Sequence, residues 1–287
     1  MTKASGNSST THDAPFASVA GGQLHFTSVG PNRVHYVTVG RGNRAIVLVH
    51  CWAGHLGFWH EQVPALAQHA RLILIDLPGH GRSDKPEADY TLPFFAEAVL
   101  AVLSAARVDR AIFIGHSMGA AVLCRVYERA PDKFDALVSV DGLLCRPRGT
   151  PAAAQALVGP FGTPQYLDHA KTFIRAFFPI PGTEALRERV LAEMLVTPQH
   201  VMHGAMLGMF GPEAPDWILP KVDAPVLAIN ARSPWWDDGY EPYVRSLSRQ
   251  SDYLVMEGVG HFLHLEKPAD FNAALTSRLR RLDLLAK

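Results

Sequence analysis

The sequence predicts an α/β protein, a doubly wound and mostly parallel sheet carrying an inserted helical cap. Short apolar runs rich in β-branched residues alternate with helix-length stretches, the pattern of strands buried on both faces and joined by crossover helices. The alternation breaks after Asp141, where a Pro- and Gly-punctuated helical region runs to about residue 221, and strand-like runs resume at 226–229. The expected division is a disordered Ser/Thr/Asn-rich tail over 1–20, a core formed by 21–142 and 222–287, and a cap over 143–221.

Taken in order, the alternating segments 23–28 and 33–39 flank Gly30-Pro31-Asn32 and read as an antiparallel hairpin entering the sheet. Buried parallel strands are expected at 45–49, 72–75, 111–114 and 136–140. Between them, apolar residues at three- and four-residue spacing predict helices over 58–69, 92–106 and 118–129, with Pro131 just past the last. Within the cap, 166–178, 184–195 and 198–210 read as helices. Strands at 226–229 and 253–256 and a closing helix over 268–282 complete the chain.

Composition narrows the function. With 287 residues, 48% of them hydrophobic, the chain can bury one large core. Its 27 Lys and Arg balance 27 Asp and Glu. No surplus of either sign is left to hold nucleic acid or an anionic membrane, and a small, largely uncharged substrate fits better. Cys51, Cys124 and Cys145 are odd in number and lie in or beside apolar segments, which suggests buried thiols in a reducing compartment. No run approaches the roughly 18 apolar residues of a membrane helix, and residues 1–15 lack the apolar centre of a secretory signal. A cytoplasmic protein is expected, with a homodimer left open.

The main chemical signal is Gly115-His116-Ser117-Met118-Gly119, a G-x-S-x-G motif between a strand and a helix. That context is what the chemistry needs. A tight strand-to-helix turn lifts the serine hydroxyl above the sheet edge and sets it at a helix N-terminus, where developing negative charge is favoured. The hydroxyl is a weak nucleophile, so an imidazole must take its proton and later return it to the leaving group.

Four segments together resemble the α/β-hydrolase family, over about residues 23–282: His50-Cys51-Trp52, the stretch DLPGHGRS from Asp76 to Ser83, the serine motif, and Gly260-His261-Phe262. The resemblance specifies the fold far better than the substrate. Of 14 histidines it implies His261 as the base, since that residue follows the last strand and the serine precedes it in the chain. His80, His116 and His264 read as structural, although His116 is also a pocket candidate. The resemblance further implies an oxyanion hole from the main-chain N–H groups of Met118 and Trp52. Cys51 stands where relatives usually carry glycine, so a positive φ there would strain the loop; its own nucleophilic role is disfavoured, and His50 is expected to brace the loop.

The acid is harder to place. After the strand at 226–229 the sequence offers Ser233 where relatives most often carry Asp. Asp141, directly after the strand at 136–140, is the favoured acid because some members of the family carry it there; Asp237 or Asp238 is the alternative. The plainer reading of Asp141 is a helix or loop cap, a common role for Asp at such an edge. Asp76 and Asp84 read as structural.

The cap is rich in Phe and Met, including Met206 and Phe210. At helical spacing such residues pack first and contact substrate second, but the surface they offer is apolar and pliable. Cys51, His116, Trp235, Met206 and Phe210 are the pocket candidates. The resulting expectation is a serine-dependent hydrolase of a small apolar carboxylic ester or lactone, without cofactor or metal, since neither H-E-x-x-H nor paired-cysteine spacing occurs. A carbon–carbon bond hydrolase, a perhydrolase or a cofactor-free dioxygenase on the same fold is the alternative. Outside catalysis, the alternative is a hydrolase-like ligand receptor. Asp in place of Ser117 would have pointed to epoxide or haloalkane chemistry.

Overall fold

A computed structural model of the chain describes residues 19–147 and 149–285. Most of the tail expected over 1–20 lies outside the described residues. Val19 is buried and joins the core cluster that contains Val37 and Val39.

The chain runs β1 (Gln23–Val29), β2 (Asn32–Val39), β3 (Ala45–Val49), α1 (Val63–Leu66), β4 (Arg71–Ile75), α2 (Leu92–Ala105), β5 (Ala111–His116), α3 (Met118–Arg129) and β6 (Phe134–Val140). The insertion contributes α4 (Pro151–Val158), α5 (Tyr166–Arg175), α6 (Glu184–Met194) and α7 (Gln199–Phe210). Then come β7 (Val226–Ala231), α8 (Tyr240–Ser246), β8 (Asp252–Met256), α9 (Leu263–Glu266) and α10 (Pro268–Arg281). The strands form one eight-stranded sheet in the order β1-β2-β4-β3-β5-β6-β7-β8. Only the pairings made by β2 are antiparallel; from β4 to β8 the sheet is parallel.

Strand alternation divides the core. Val47, Val49, Ile73, Ile75 and Phe113 join the cluster with Phe95 and Val99 of α2 and Leu123 of α3. Their neighbours Ile46, Leu48, Leu72, Ile112 and Ile114 join the opposite cluster with Leu66 of α1 and Phe271 and Leu275 of α10. Burial on both faces is the reason these strands read as continuous apolar runs rather than alternating ones.

Two departures from expectation have identifiable causes. The helix expected over 58–69 is broken into a 3₁₀ turn, Leu56–Trp59, and the short α1. Pro64 has no N–H and opens a new helix instead of continuing one, while buried Gln62 turns its amide to the His264 carbonyl at 2.8 Å. The second departure is α8, in a crossover with no expected helix. Its signal was present in Tyr240, Val244 and Leu247, all buried and spaced four and three residues apart.

The crossing of α3 over β3 depends on Gly119, because a Cβ there would lie 2.4 Å from the Val49 carbonyl oxygen. Both partners are backbone, so relief requires the helix to move. Gly119→Ala is expected to lower stability by about 1–3 kcal/mol, read as a fall in the denaturation midpoint at unchanged denaturant slope.

Candidate active site

Ser117 sits between β5 and α3 with φ 53° and ψ −117°, a conformation held from outside by its N–H donating to the Val140 carbonyl at 3.0 Å. A non-glycine residue at such a φ stores strain of about 1–3 kcal/mol, typical of functional turns. Asp141, one residue past that carbonyl, is also left-handed, at φ 42°. Its N–H extends the β6–β7 ladder to the Ile229 carbonyl at 2.9 Å before the chain turns away. The 6% exposed Asp141 carboxylate is fully used. Oδ2 lies 2.6 Å from His261 Nδ1, and Oδ1 accepts the Ala231 N–H at 2.8 Å and the Trp236 indole N–H at 3.3 Å. With Nδ1 so engaged, Nε2 is the nitrogen His261 has left for chemistry.

The loop carrying His261 is tied on several sides. Its N–H donates to the Phe177 carbonyl of the insertion at 2.9 Å, and its carbonyl accepts from His116 Nε2 at 2.9 Å. Glu266 accepts the N–H groups of Gly260 at 2.7 Å and Phe262 at 3.1 Å. Burial raises the Glu266 carboxyl above its usual range, against the opposing pull of those two N–H groups. In the sequence Phe177 counts only as one of the aromatic residues of the insertion, and Glu266 carries no signal beyond its place five residues after the histidine, at the end of α9.

The loop after β3 forms a turn closed by the Gly54 N–H to the Cys51 carbonyl at 3.0 Å. The left-handed residue is Ala53, at φ 53°, and not Cys51. This corrects the expected strain at Cys51, because a turn of this kind places its positive φ at the third residue. Trp52 is fixed by its indole N–H donating to the Met202 carbonyl at 2.9 Å. Met118 opens α3, where first-turn N–H groups lack partners inside the helix. Cys51 is buried, and burial pushes its thiol well above the usual range, so the neutral form persists at neutral pH.

Two imidazoles brace this loop. His50 Nε2 accepts the Leu77 N–H at 3.0 Å, and His80 Nε2 accepts the Ala53 N–H at 3.2 Å. Burial lowers His50 to about 4 and His80 to about 3. Because the folded values lie below the unfolded 6.5, the unfolded chain binds more protons over this interval. Stability is therefore full above pH 6.5 and is lost as the pH falls from there toward 4 and below. Melting temperature measured against pH is expected to decline through that window, and a flat profile between pH 6.5 and 4 would contradict the assignment. The neighbouring Asp76 accepts the Leu56 N–H at 2.8 Å and the Arg82 N–H at 2.9 Å and faces His35 at 2.7 Å, a structural hub.

Ser117, Asp141, His261, Trp52 and Met118 line one cavity of about 1420 Å³ between the C-terminal edge of the sheet and the insertion. Of the pocket candidates, Cys51, Trp235, Met206 and Phe210 line it as well. His116 does not. It shares a strand face with Ile112 and Ile114, so its ring points to the α10 side, 4.6 Å from that of His264. Asp237 also lines the cavity but is exposed and accepts the Gly239 N–H at 2.9 Å. Asp238 is likewise exposed, and among the described residues neither has a hydrogen bond to His261. No group of three or more His, Cys, Asp or Glu among the described residues is placed to hold a metal ion. Among them, too, no helix is long and apolar enough to cross a membrane.

Sheet order, crossovers and a strained serine between β5 and α3 are those of α/β-hydrolases, and the comparisons agree. The family model for the alpha/beta hydrolase fold matches residues 44–186. The chain belongs to the α/β-hydrolase fold family. It is similar to the dihydrolipoyllysine-residue acetyltransferase component of an acetoin cleaving system from Pseudomonas putida, at 42% identity over 34% of this chain and 26% of that one. A pimeloyl-[acyl-carrier protein] methyl ester esterase of Salmonella newport is 29% identical over 85% of this chain and 97% of its own length. Among solved structures, Est816, described as an N-acyl homoserine lactone degrading enzyme, superposes with a TM-score of 0.74 at 25% identity, covering 88% of this chain and 99% of that one. The chain spans less than half the length of the first curated relatives it matches.

Proposed function

We propose that the protein is a serine-dependent hydrolase of carboxylic esters or lactones with an apolar acyl part. The observation that carries this is the 2.6 Å contact of His261 Nδ1 with Asp141 Oδ2 in a cavity that Ser117 also lines. In the reaction, His261 Nε2 takes the hydroxyl proton as Ser117 Oγ attacks the carbonyl carbon. The main-chain N–H groups of Met118 and Trp52 receive the oxyanion. The imidazolium, paired with Asp141, hands its proton to the departing alkoxide, and water then hydrolyses the acyl-enzyme by the same steps.

The methyl ester esterase and lactone-degrading relatives support carboxylic ester chemistry. Trp52, Phe173, Phe177, Met206 and Phe210 around the cavity support an apolar acyl group. The test is a panel of chromogenic acyl esters and lactones followed from the first turnover. A burst of alcohol or phenol equal to the enzyme concentration, or steady turnover wherever deacylation is fast, is the expected result. Neither acylation nor turnover on any member would leave the chain a ligand receptor.

A further inference from the structure

Asp141 is held from a direction that the proposed chemistry does not explain. Its Oδ1 faces two donors, the Ala231 N–H at 2.8 Å and the Trp236 indole N–H at 3.3 Å. The indole can only donate, so a proton on Oδ1 would meet it head-on. The ring is also locked in place. Trp236 stacks on Tyr240 with centroids 4.7 Å apart and 24° between planes. The Tyr240 hydroxyl donates to the Gly142 carbonyl at 2.7 Å and accepts the Leu144 N–H at 3.2 Å. The aromatic pair is thus pinned to the chain immediately after the acid. The turn that presents it is closed by the Trp236 N–H to the Ser233 carbonyl at 3.3 Å and the Gly239 N–H to Asp237 Oδ1 at 2.9 Å.

We propose that Trp236 is a positioning residue for ester hydrolysis, its indole N–H acting with the Ala231 N–H to aim the Asp141 carboxylate at His261. The inference rests on the reading of Asp141 as the acid. Without the indole donor the carboxylate keeps more of its charge, so the His261 imidazolium holds its proton more tightly and the acidic limb of kcat/KM moves to higher pH. The carboxylate is also less well aimed, and kcat falls. The other titratable groups facing the pair are His116, His264 and Glu266 around the histidine and Tyr253 beside the acid; the substitution touches none of them.

The experiment compares native enzyme, Trp236→Phe, Asp141→Asn and the double variant on a chromogenic butyrate ester from pH 5 to 9, with thermal melting as the check of folding. Trp236→Phe is expected to lower kcat roughly three- to tenfold with KM within about twofold and to shift the acidic limb upward. In the Asp141→Asn background it should cost nothing further. An unmoved or downward limb, or losses that multiply independently in the double variant, assigns Trp236 to packing alone and overturns the inference. Native-like turnover by Asp141→Asn instead overturns the choice of acid beneath it. Should Trp236→Phe fail to fold, 3-benzothienylalanine at position 236, which keeps the ring shape and removes the N–H, is read in its place.

Discussion

Ser117→Ala is expected to abolish turnover of acyl esters, with kcat falling by at least ~10⁴-fold and no acyl-enzyme forming. The magnitude follows from the proposed division of labour: the serine oxygen would make the covalent bond, and what survives its loss is whatever binding and the oxyanion donors provide to a water attack. The φ of 53° at residue 117 is held by the strand hydrogen bond to Val140, so alanine should adopt the same turn and leave the fold intact. A stopped-flow trace of chromophore release and mass detection of the acyl adduct read the two outcomes directly. Substantial residual activity in Ser117→Ala would transfer the chemistry to His261 acting on its own, as a cofactor-free dioxygenase would use it.

The second large effect separates the carboxylates. Asp141→Asn is expected to lower kcat by on the order of 10³- to 10⁴-fold, because the amide neither neutralises the imidazolium nor dictates which ring nitrogen carries the proton. Asp237→Asn should stay within about threefold of native, as surface substitutions generally do, its carboxylate lying exposed and capping its own turn at Gly239. Both variants are compared on one ester at saturating concentration. The reverse order of losses would move the acid into the loop after β7.

What the sequence made legible was local. Ser117 could be read because its motif, the strand before it and the helix after it are contiguous, and the both-face burial of β3 and β4 and of the body of β5 shows directly in their apolar runs. For His116, which reads as structural and also as a pocket candidate, strand parity decides between the two, since Ile112, Ile114 and His116 project to one side and Ser117 breaks the alternation. Within 58–69 the apolar spacing outweighs the local break at Pro64, and Gln62 gives no sign of its bond to the His264 carbonyl, 202 residues away. Nor could neighbouring residues reveal that Trp236 would meet a carboxylate 95 positions earlier. The spacing within α8 and the proline at position 64 were local signals all the same, whereas the contacts of Gln62 and Trp236 depend on two distant loops touching.

The hydrogen bond from the His261 N–H to the Phe177 carbonyl, with a Gly260 so tight that a Cβ would lie 2.3 Å from the same oxygen, fastens one flank of the roof to the base itself. Lifting that flank would pull on the His261 backbone, so in the proposed hydrolysis the seam has to stay shut while the imidazole works. Trp235 at 66% and Ile218 at 58% exposure stand on the wall of the same cavity and give it an apolar, solvent-facing rim.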